Sequence, residues 1–198
     1  MNKLKSLHKS HKKQHDMKPK FYDLLPKEEK NGGLVEAPED WTYPIAMDGK
    51  EVTDWQSLVL ELKYGKYAHF NMCTGGANII SEELKKLFES FVDDPTLIEY
   101  LPVKVFSKEY GDKWMYIMHF KKIFDVVDKK NSIYVPGTDI LIKERLIYDK
   151  VKDLKIFNIK KNLNDVVVSE EVYQAIKKQK LNFCIEFVPI YCSASTTT

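Results

Sequence analysis

The sequence predicts an α+β fold in which strands outnumber helices, and three observations predict it. One stretch occurs twice: NIISEELKKLFESFVDDPTLIEYLPV over residues 78–103 and VVVSEEVYQAIKKQKLNFCIEFVPI over 166–190. Each copy reads as a short β-branched run, Ser-Glu-Glu, a helical stretch, and a strand of Ile-Glu-aromatic-aliphatic-Pro-aliphatic. Next, seven or more strand-like runs stand against only these two clear helices. Finally, no Pro/Gly/Ser linker separates the copies, and the segment between them is itself strand-rich. This points to one domain with internal repetition rather than two separate domains.

The local physics of the repeat is legible. Ser81 and Ser169 are helix-capping residues whose oxygens suit the free N–H groups of a first turn. Glu82, Glu83, Glu170 and Glu171 place negative charge at the positive end of the helix dipole. Leu84, Leu87, Phe88 and Phe91 form one apolar stripe at i, i+3, i+4 and i+7. Val172, Ala175 and Ile176 repeat it, but Gln179 replaces the last member, which predicts a second helix that is shorter or less buried at its end. Pro102 and Pro189 predict an edge strand, a bulge or a strand end, because proline cannot donate to a ladder. Glu99 and Glu186 alternate with apolar neighbours and read as the wet face of a strand rather than as an acid–base pair.

Residues 1–20 differ from the rest. Seven lysines (Lys3, Lys5, Lys9, Lys12, Lys13, Lys18, Lys20) and three histidines stand there against Asp16 alone. That segment carries +6, the whole chain +2, and residues 21–198 therefore −4. The reading is a basic, unstructured tail, an acidic body over 21–192, and a frayed polar terminus over 193–198. No apolar run approaches a membrane span, and no apolar stretch follows the N-terminal lysines, so neither membrane insertion nor a secretory signal is expected. Cys73, Cys184 and Cys192 are odd in number and lack metal spacing, which predicts free thiols in a reducing cytoplasm.

Along the body, Asn31-Gly32-Gly33 marks a turn, and Leu58, Leu60 and Leu62 give a strand with one apolar face. Residues 114–120 are apolar on both parities and read as a central strand. Pro136-Gly137 is a turn before further strands around Ile140 and Ile142, Leu146-Ile147, and Ile156 to Ile159.

Loop 64–77 is where enzyme chemistry would sit. His69 and Cys73 offer a base and a nucleophile, or two ligands of a metal site. Neither pattern is specific, Gly75-Gly76 matches no phosphate-binding fingerprint, and no cofactor motif occurs. The expectation is no catalytic, cofactor or metal residue, with a hydrolase or transferase using this loop as the alternative. A second alternative is a nucleic-acid or anionic-membrane binder using the Lys/His tail.

The order of short motifs resembles a known family. Asp54-Trp55 precedes the Leu58–Leu62 alternation, then come Ile79-Ile80-Ser81-Glu82-Glu83-Leu84 and Ile98-Glu99-Tyr100-Leu101-Pro102-Val103. Phe124-Asp125-Val126-Val127-Asp128, Ile156-Phe157-Asn158-Ile159, Val168-Ser169-Glu170-Glu171-Val172 and Phe187-Val188-Pro189 follow. This resembles the bacterial immunity-protein domain of polymorphic toxin systems, over roughly residues 21–190. The resemblance implies a cytoplasmic, non-catalytic protein that binds and neutralises a cognate toxin domain, and it brings no catalytic set. Trp41, Tyr43, Tyr64, Tyr67 and Phe70, in loop-like or strand-end stretches, are the candidate partner-binding anchors.

Overall fold

The computed structural model describes residues 20–41, 49–92, 94–159 and 165–193. Two six-stranded sheets and a small hairpin account for its strands, with three helices among the described residues. The first sheet contains β2 (Leu34–Glu36), β3 (Leu58–Tyr64), β4 (Phe70–Met72), β5 (Asn78–Ser81), β6 (Ile98–Phe106) and β7 (Lys113–Phe120), in the order β2-β3-β6-β7-β5-β4. The second contains β1 (Phe21–Pro26), β8 (Ile123–Phe124), β11 (Arg145–Ile147), β12 (Ile156–Ile159), β13 (Val166–Ser169) and β14 (Ile185–Ser193), in the order β11-β14-β1-β13-β12-β8. Strands β9 (Ile133–Tyr134) and β10 (Leu141–Lys143) form the hairpin. The helices are α1 (Glu82–Glu89), α2 (Tyr148–Val151) and α3 (Glu170–Lys178).

Each sheet curls until its edges meet. In the first, Thr74, just past β4, donates its N–H to Val35 of β2 at 3.3 Å, and Ala37 N–H bonds the Thr74 hydroxyl at 3.0 Å. In the second, β8 pairs with β12, and a few residues later Val127 bridges Leu146 of β11. Asp128 N–H to Arg145 carbonyl (2.7 Å) and Ile147 N–H to Val126 carbonyl (2.9 Å) complete that closure. Among the described residues, closure leaves neither six-stranded sheet with a long free edge to pair with another chain.

The two rings share one plan. β3 runs parallel to β6 as β11 runs parallel to β14, and β5 and β13 are each antiparallel to a middle strand. That middle strand is β7 in the first ring and β1 in the second. Tyr116 of β7 lies opposite Ile80 and Pro102; Tyr22 of β1 lies opposite Val168 and Pro189. The second ring is therefore a permuted copy, whose last strand comes from the N-terminal side of the chain. The expected strand–helix–strand units are present in both copies, with the two strands parallel and a third strand between them.

Both serines cap as expected. The Ser81 hydroxyl accepts Leu84 N–H at 3.2 Å, and the Ser169 hydroxyl accepts Val172 N–H at 3.4 Å. Helix α3 is one residue longer than α1, not shorter, but its last residues are exposed. Its extra reach comes from its C-terminus. Lys180 enters the left-handed region (φ 59°), Lys180 N–H bonds Lys177 carbonyl, and Leu181 N–H reaches Ile176 carbonyl at 3.0 Å. That is a Schellman closure with buried Leu181 as its apolar contact.

Pro102 and Pro189 lie inside strands β6 and β14, neither of which is an edge. The expectation of an edge is corrected by geometry. The Pro102 carbonyl is taken by Trp55 Nε1 (3.0 Å) and Ser57 Oγ (3.1 Å), just before β3 begins to pair at Leu58. A residue's N–H and C=O point to the same side of a strand, so the missing donor falls where no strand runs.

Three cores follow. The central one joins the outer faces of both rings through α1 and α3, with Leu84, Leu87, Phe88, Val172 and Ile176 between Ile80, Ile98 and Met118 on one side and Leu24, Val166 and Val168 on the other. Phe91 packs at its margin. The other two fill the rings, around Leu60, Val103 and Ile117 in the first and Phe21, Leu146 and Phe157 in the second. No helix of the described residues is long and apolar enough to cross a membrane.

Candidate functional site

His69 and Cys73 stand in different surroundings. The His69 ring meets Ser81 Oγ at 2.8 Å and Glu83 Oε2 at 3.9 Å, both through Nδ1. A relay needs the hydroxyl and the carboxylate on opposite ring nitrogens. Burial also holds the imidazole below its ordinary pKa. Cys73 is buried in the core of the first ring, and burial pushes its thiol up, away from the reactive thiolate.

The second ring explains His69. Ser81 N–H bonds the His69 carbonyl, and Ser169 N–H bonds the Lys155 carbonyl. The Lys155 ammonium pairs with Glu171 as His69 approaches Glu83. A basic side chain facing the first turn of the helix is a feature of the repeat, and it does not require imidazole. Among the described residues no group of three or more His, Cys, Asp or Glu is placed to hold a metal ion, and all three cysteines are free thiols.

Glu99 departs from the expected wet face. Its carboxylate accepts Val52 N–H at 2.8 Å and lies 3.7 Å from His119 Nε2, which contacts the Lys50 carbonyl at 2.6 Å. The pair ties residues 49–57 across the first ring. Glu186, its counterpart, is exposed.

The aromatic candidates scatter. Phe70 is fully buried in the central core, where it is packing rather than surface. The Tyr67 hydroxyl is shared between the carbonyls of Val105 (2.9 Å) and Gly111 (2.7 Å), under Lys113. Trp41 lies against Gly75, where an added Cβ would come within 2.4 Å of its ring, and helps line a cavity of about 360 Å3 with Glu36, Glu39 and Thr74. Tyr64 is 64% exposed at the end of β3. Tyr43 lies outside the described residues.

The residues missed in the sequence lie on the outer face of the first ring. Along β7, Phe120 and Met118 are buried in the central core, Tyr116 is half-buried, and Trp114 emerges 56% exposed. Beside it in register lie Lys104 of β6 and then Val59 of β3, 61% exposed. Phe106, two residues beyond Lys104, is 38% exposed. Reading residues 114–120 as apolar on both faces hid this, because α1 and the second ring cover only one end of β7.

Around this apolar group the charges are paired internally. Lys104 meets Asp112 at 2.6 Å, and Lys63 bridges Glu61 (2.9 Å) and Glu36 (3.4 Å). The hairpin is a second exposed feature. Ile133, Ile140 and Ile142 face solvent, above a cavity of about 900 Å3 lined by Asp125, Val127, Lys129, Tyr134 and residues of the hairpin turn.

A model of the immunity protein family (Imm11) matches residues 32–191. The match starts after β1, so the strand that completes the second ring lies outside it. No curated protein matches the chain. With most of its length covered, including both rings but for β1, the chain belongs to the Imm11 immunity protein family.

Proposed function

We propose that the protein is a non-catalytic, cytoplasmic immunity protein that binds a cognate toxin domain and blocks it. The family match over residues 32–191 carries this reading. The state of the 64–77 loop supports the non-catalytic part: His69 is engaged at a helix N-terminus and Cys73 is a buried thiol. Trp41, packed against the core of the first ring beside Gly75, and Tyr64, exposed at the end of β3, remain binding candidates, and Tyr43 is retained with them. The matching domain arrangement is a body over residues 21–192, a basic tail over 1–20 and a short terminus over 193–198; in the structure Lys20 already bonds Glu170 N–H through its carbonyl, and β14 runs through Ser193.

The test is co-expression with candidate toxin domains, including any encoded by neighbouring genes, scored by growth rescue and by co-purification. Rescue with a stable complex is expected. Rescue without a complex, accompanied by chemical modification of the toxin or consumption of its substrate, would overturn the non-catalytic reading.

A further inference from the structure

We propose that the exposed outer face of the first ring at Val59, Phe106 and Trp114 is the toxin-docking surface, and that it takes an uncharged, apolar anchor of the toxin. The proposal rests on the toxin-binding reading above.

The internal repeat supplies the main argument, because it shows what the fold requires at each position. Register places Trp114 two residues before Tyr116, as Lys20 is two before Tyr22. Lys104 corresponds to Tyr191, since each lies two residues after the shared proline. Val59 pairs with Lys104 as Arg145 pairs with Tyr191, so Val59 corresponds to Arg145. The core position that follows in each strand is the same residue type, Leu60 and Leu146, both buried. The fold therefore keeps leucine where it needs packing, and accepts Lys20 and Arg145 where the first ring exposes Trp114 and Val59. Packing does not demand an exposed tryptophan there. Solubility disfavours one, and exposed apolar clusters with a polar rim mark contact surfaces.

Charge defines the partner. The carboxylates and ammonium groups around the apolar group, Glu36, Glu61, Lys63, Lys104 and Asp112, are each already engaged in an ion pair within this face. A charged partner group would have to displace one of these pairs. An apolar side chain settles among them at no such cost, with Trp114 as the anchor such surfaces favour. Among the described residues the two curled six-stranded sheets leave no long free edge, so recognition uses the face of the sheet rather than strand addition. Affinity through this surface is set by desolvation and is only weakly dependent on salt, even though the acidic body still steers a basic partner during encounter.

The experiment uses the full chain and an inactivated form of a toxin domain against which the wild-type chain rescues growth, titrated at low and high salt. Trp114→Lys and Val59→Arg install the residue types that the second ring carries at the same register, so folding is retained, as circular dichroism and melting will verify. Each should weaken binding about tenfold or more, in the range of an interface hot spot. Ile140→Ser, on the hairpin, should leave it unchanged. Wild-type affinity should vary only a few-fold over the salt range. The proposal is overturned if both ring variants bind like the wild type, if only the hairpin variant weakens, or if affinity collapses with salt. It is also overturned if Trp114→Lys merely breaks a dimer of this chain while toxin binding persists. A wild-type chain that neither binds nor rescues against any candidate toxin domain would instead remove the toxin-binding reading, and this proposal with it.

Discussion

Tyr22 and Tyr116 occupy the same place in the two rings, and each hydroxyl bonds the first glutamate of a helix. Tyr22 donates to Glu170 Oε2 at 2.7 Å, and Tyr116 bonds Glu82. Around them the chemistry diverges. Tyr22 stacks on Tyr173 (4.2 Å between centroids) with Phe187 edge-on to both, whereas Tyr116 and Tyr100 share the Lys85 ammonium. One position thus anchors a middle strand to a helix N-terminus twice, using aromatic stacking in one ring and a cation over rings in the other.

These bonds make stability fall in base. The hydrogen bond to Glu82, followed by burial, pushes Tyr116 up to about 12; burial, followed by Glu170, pushes Tyr22 up as well. The unfolded chain loses its phenolic protons near pH ~10 while the folded chain retains them. The stabilisation is therefore complete below pH ~10 and is lost as pH rises through the folded values. Tyr22→Phe and Tyr116→Phe should each cost ~1–2 kcal/mol at pH 7 and flatten the decline above pH ~10. Urea midpoints measured between neutral and strongly basic pH check both; an unchanged slope in the double variant would refute the linkage.

Phe88 stands where α1 enters the central core, fully buried between the two rings. Phe88→Ala should cost ~3–5 kcal/mol, the range for a buried aromatic. Reversible denaturation showing a loss below ~1 kcal/mol would mean that the rings do not close on this side chain.

Much of this architecture was legible because the repeat is local. Ser81, Ser169 and the stripes behind them are short-range signals, and each marks what the structure contains; the paired prolines mark corresponding strands, but not edges. The permutation was not legible. Phe21-Tyr22 matches Met115-Tyr116 only once β1 is placed after β14, and no window along the chain brings those ends together. The two curled sheets close through Thr74 with Val35 and Val127 with Leu146, contacts between segments far apart in sequence. The candidate site was harder still. Composition marks Trp114 as apolar, but exposure depends on where α1 and the second ring stop covering β7. Glu99 was misread for a similar reason: alternation shows which face a side chain takes, not that a loop will fold over it.

Glu99 and Glu186 give an internal control for that last point. Glu99→Ala removes the acceptor of Val52 N–H and the carboxylate beside His119, so it should cost ~1–2 kcal/mol and speed proteolysis within residues 49–57. Glu186→Ala, at an exposed position of β14, should stay within ~0.5 kcal/mol of the parent. Limited proteolysis with mass mapping, beside urea melts, measures both, and equal effects would show that the Glu99 contacts do not hold the loop.

The permuted plan makes its strongest prediction at the N-terminal side. β1 lies inside the second ring, pairing Phe21–Pro26 with β14 and its first residues with β13. It buries Phe21 and Leu24 in two different cores and carries the Tyr22 bond to α3. Removing residues 1–19 leaves every described contact in place and should preserve a single cooperative melt. Removing residues 1–26 leaves β13 and β14 without their shared partner and takes away two large buried side chains. At ~2–5 kcal/mol each, before the ladder bonds are considered, these losses approach the ~5–15 kcal/mol that holds a typical domain folded. The shorter chain should therefore lose its cooperative transition and expose apolar surface to dye. A synthetic peptide of residues 18–28, supplied in excess, should restore the transition by filling the gap between β13 and β14. Peptide with Tyr22→Phe should restore it less well, and peptide with Leu24→Asp should fail. A chain lacking residues 1–26 that melts like the parent without peptide would show that the second ring closes without its middle strand.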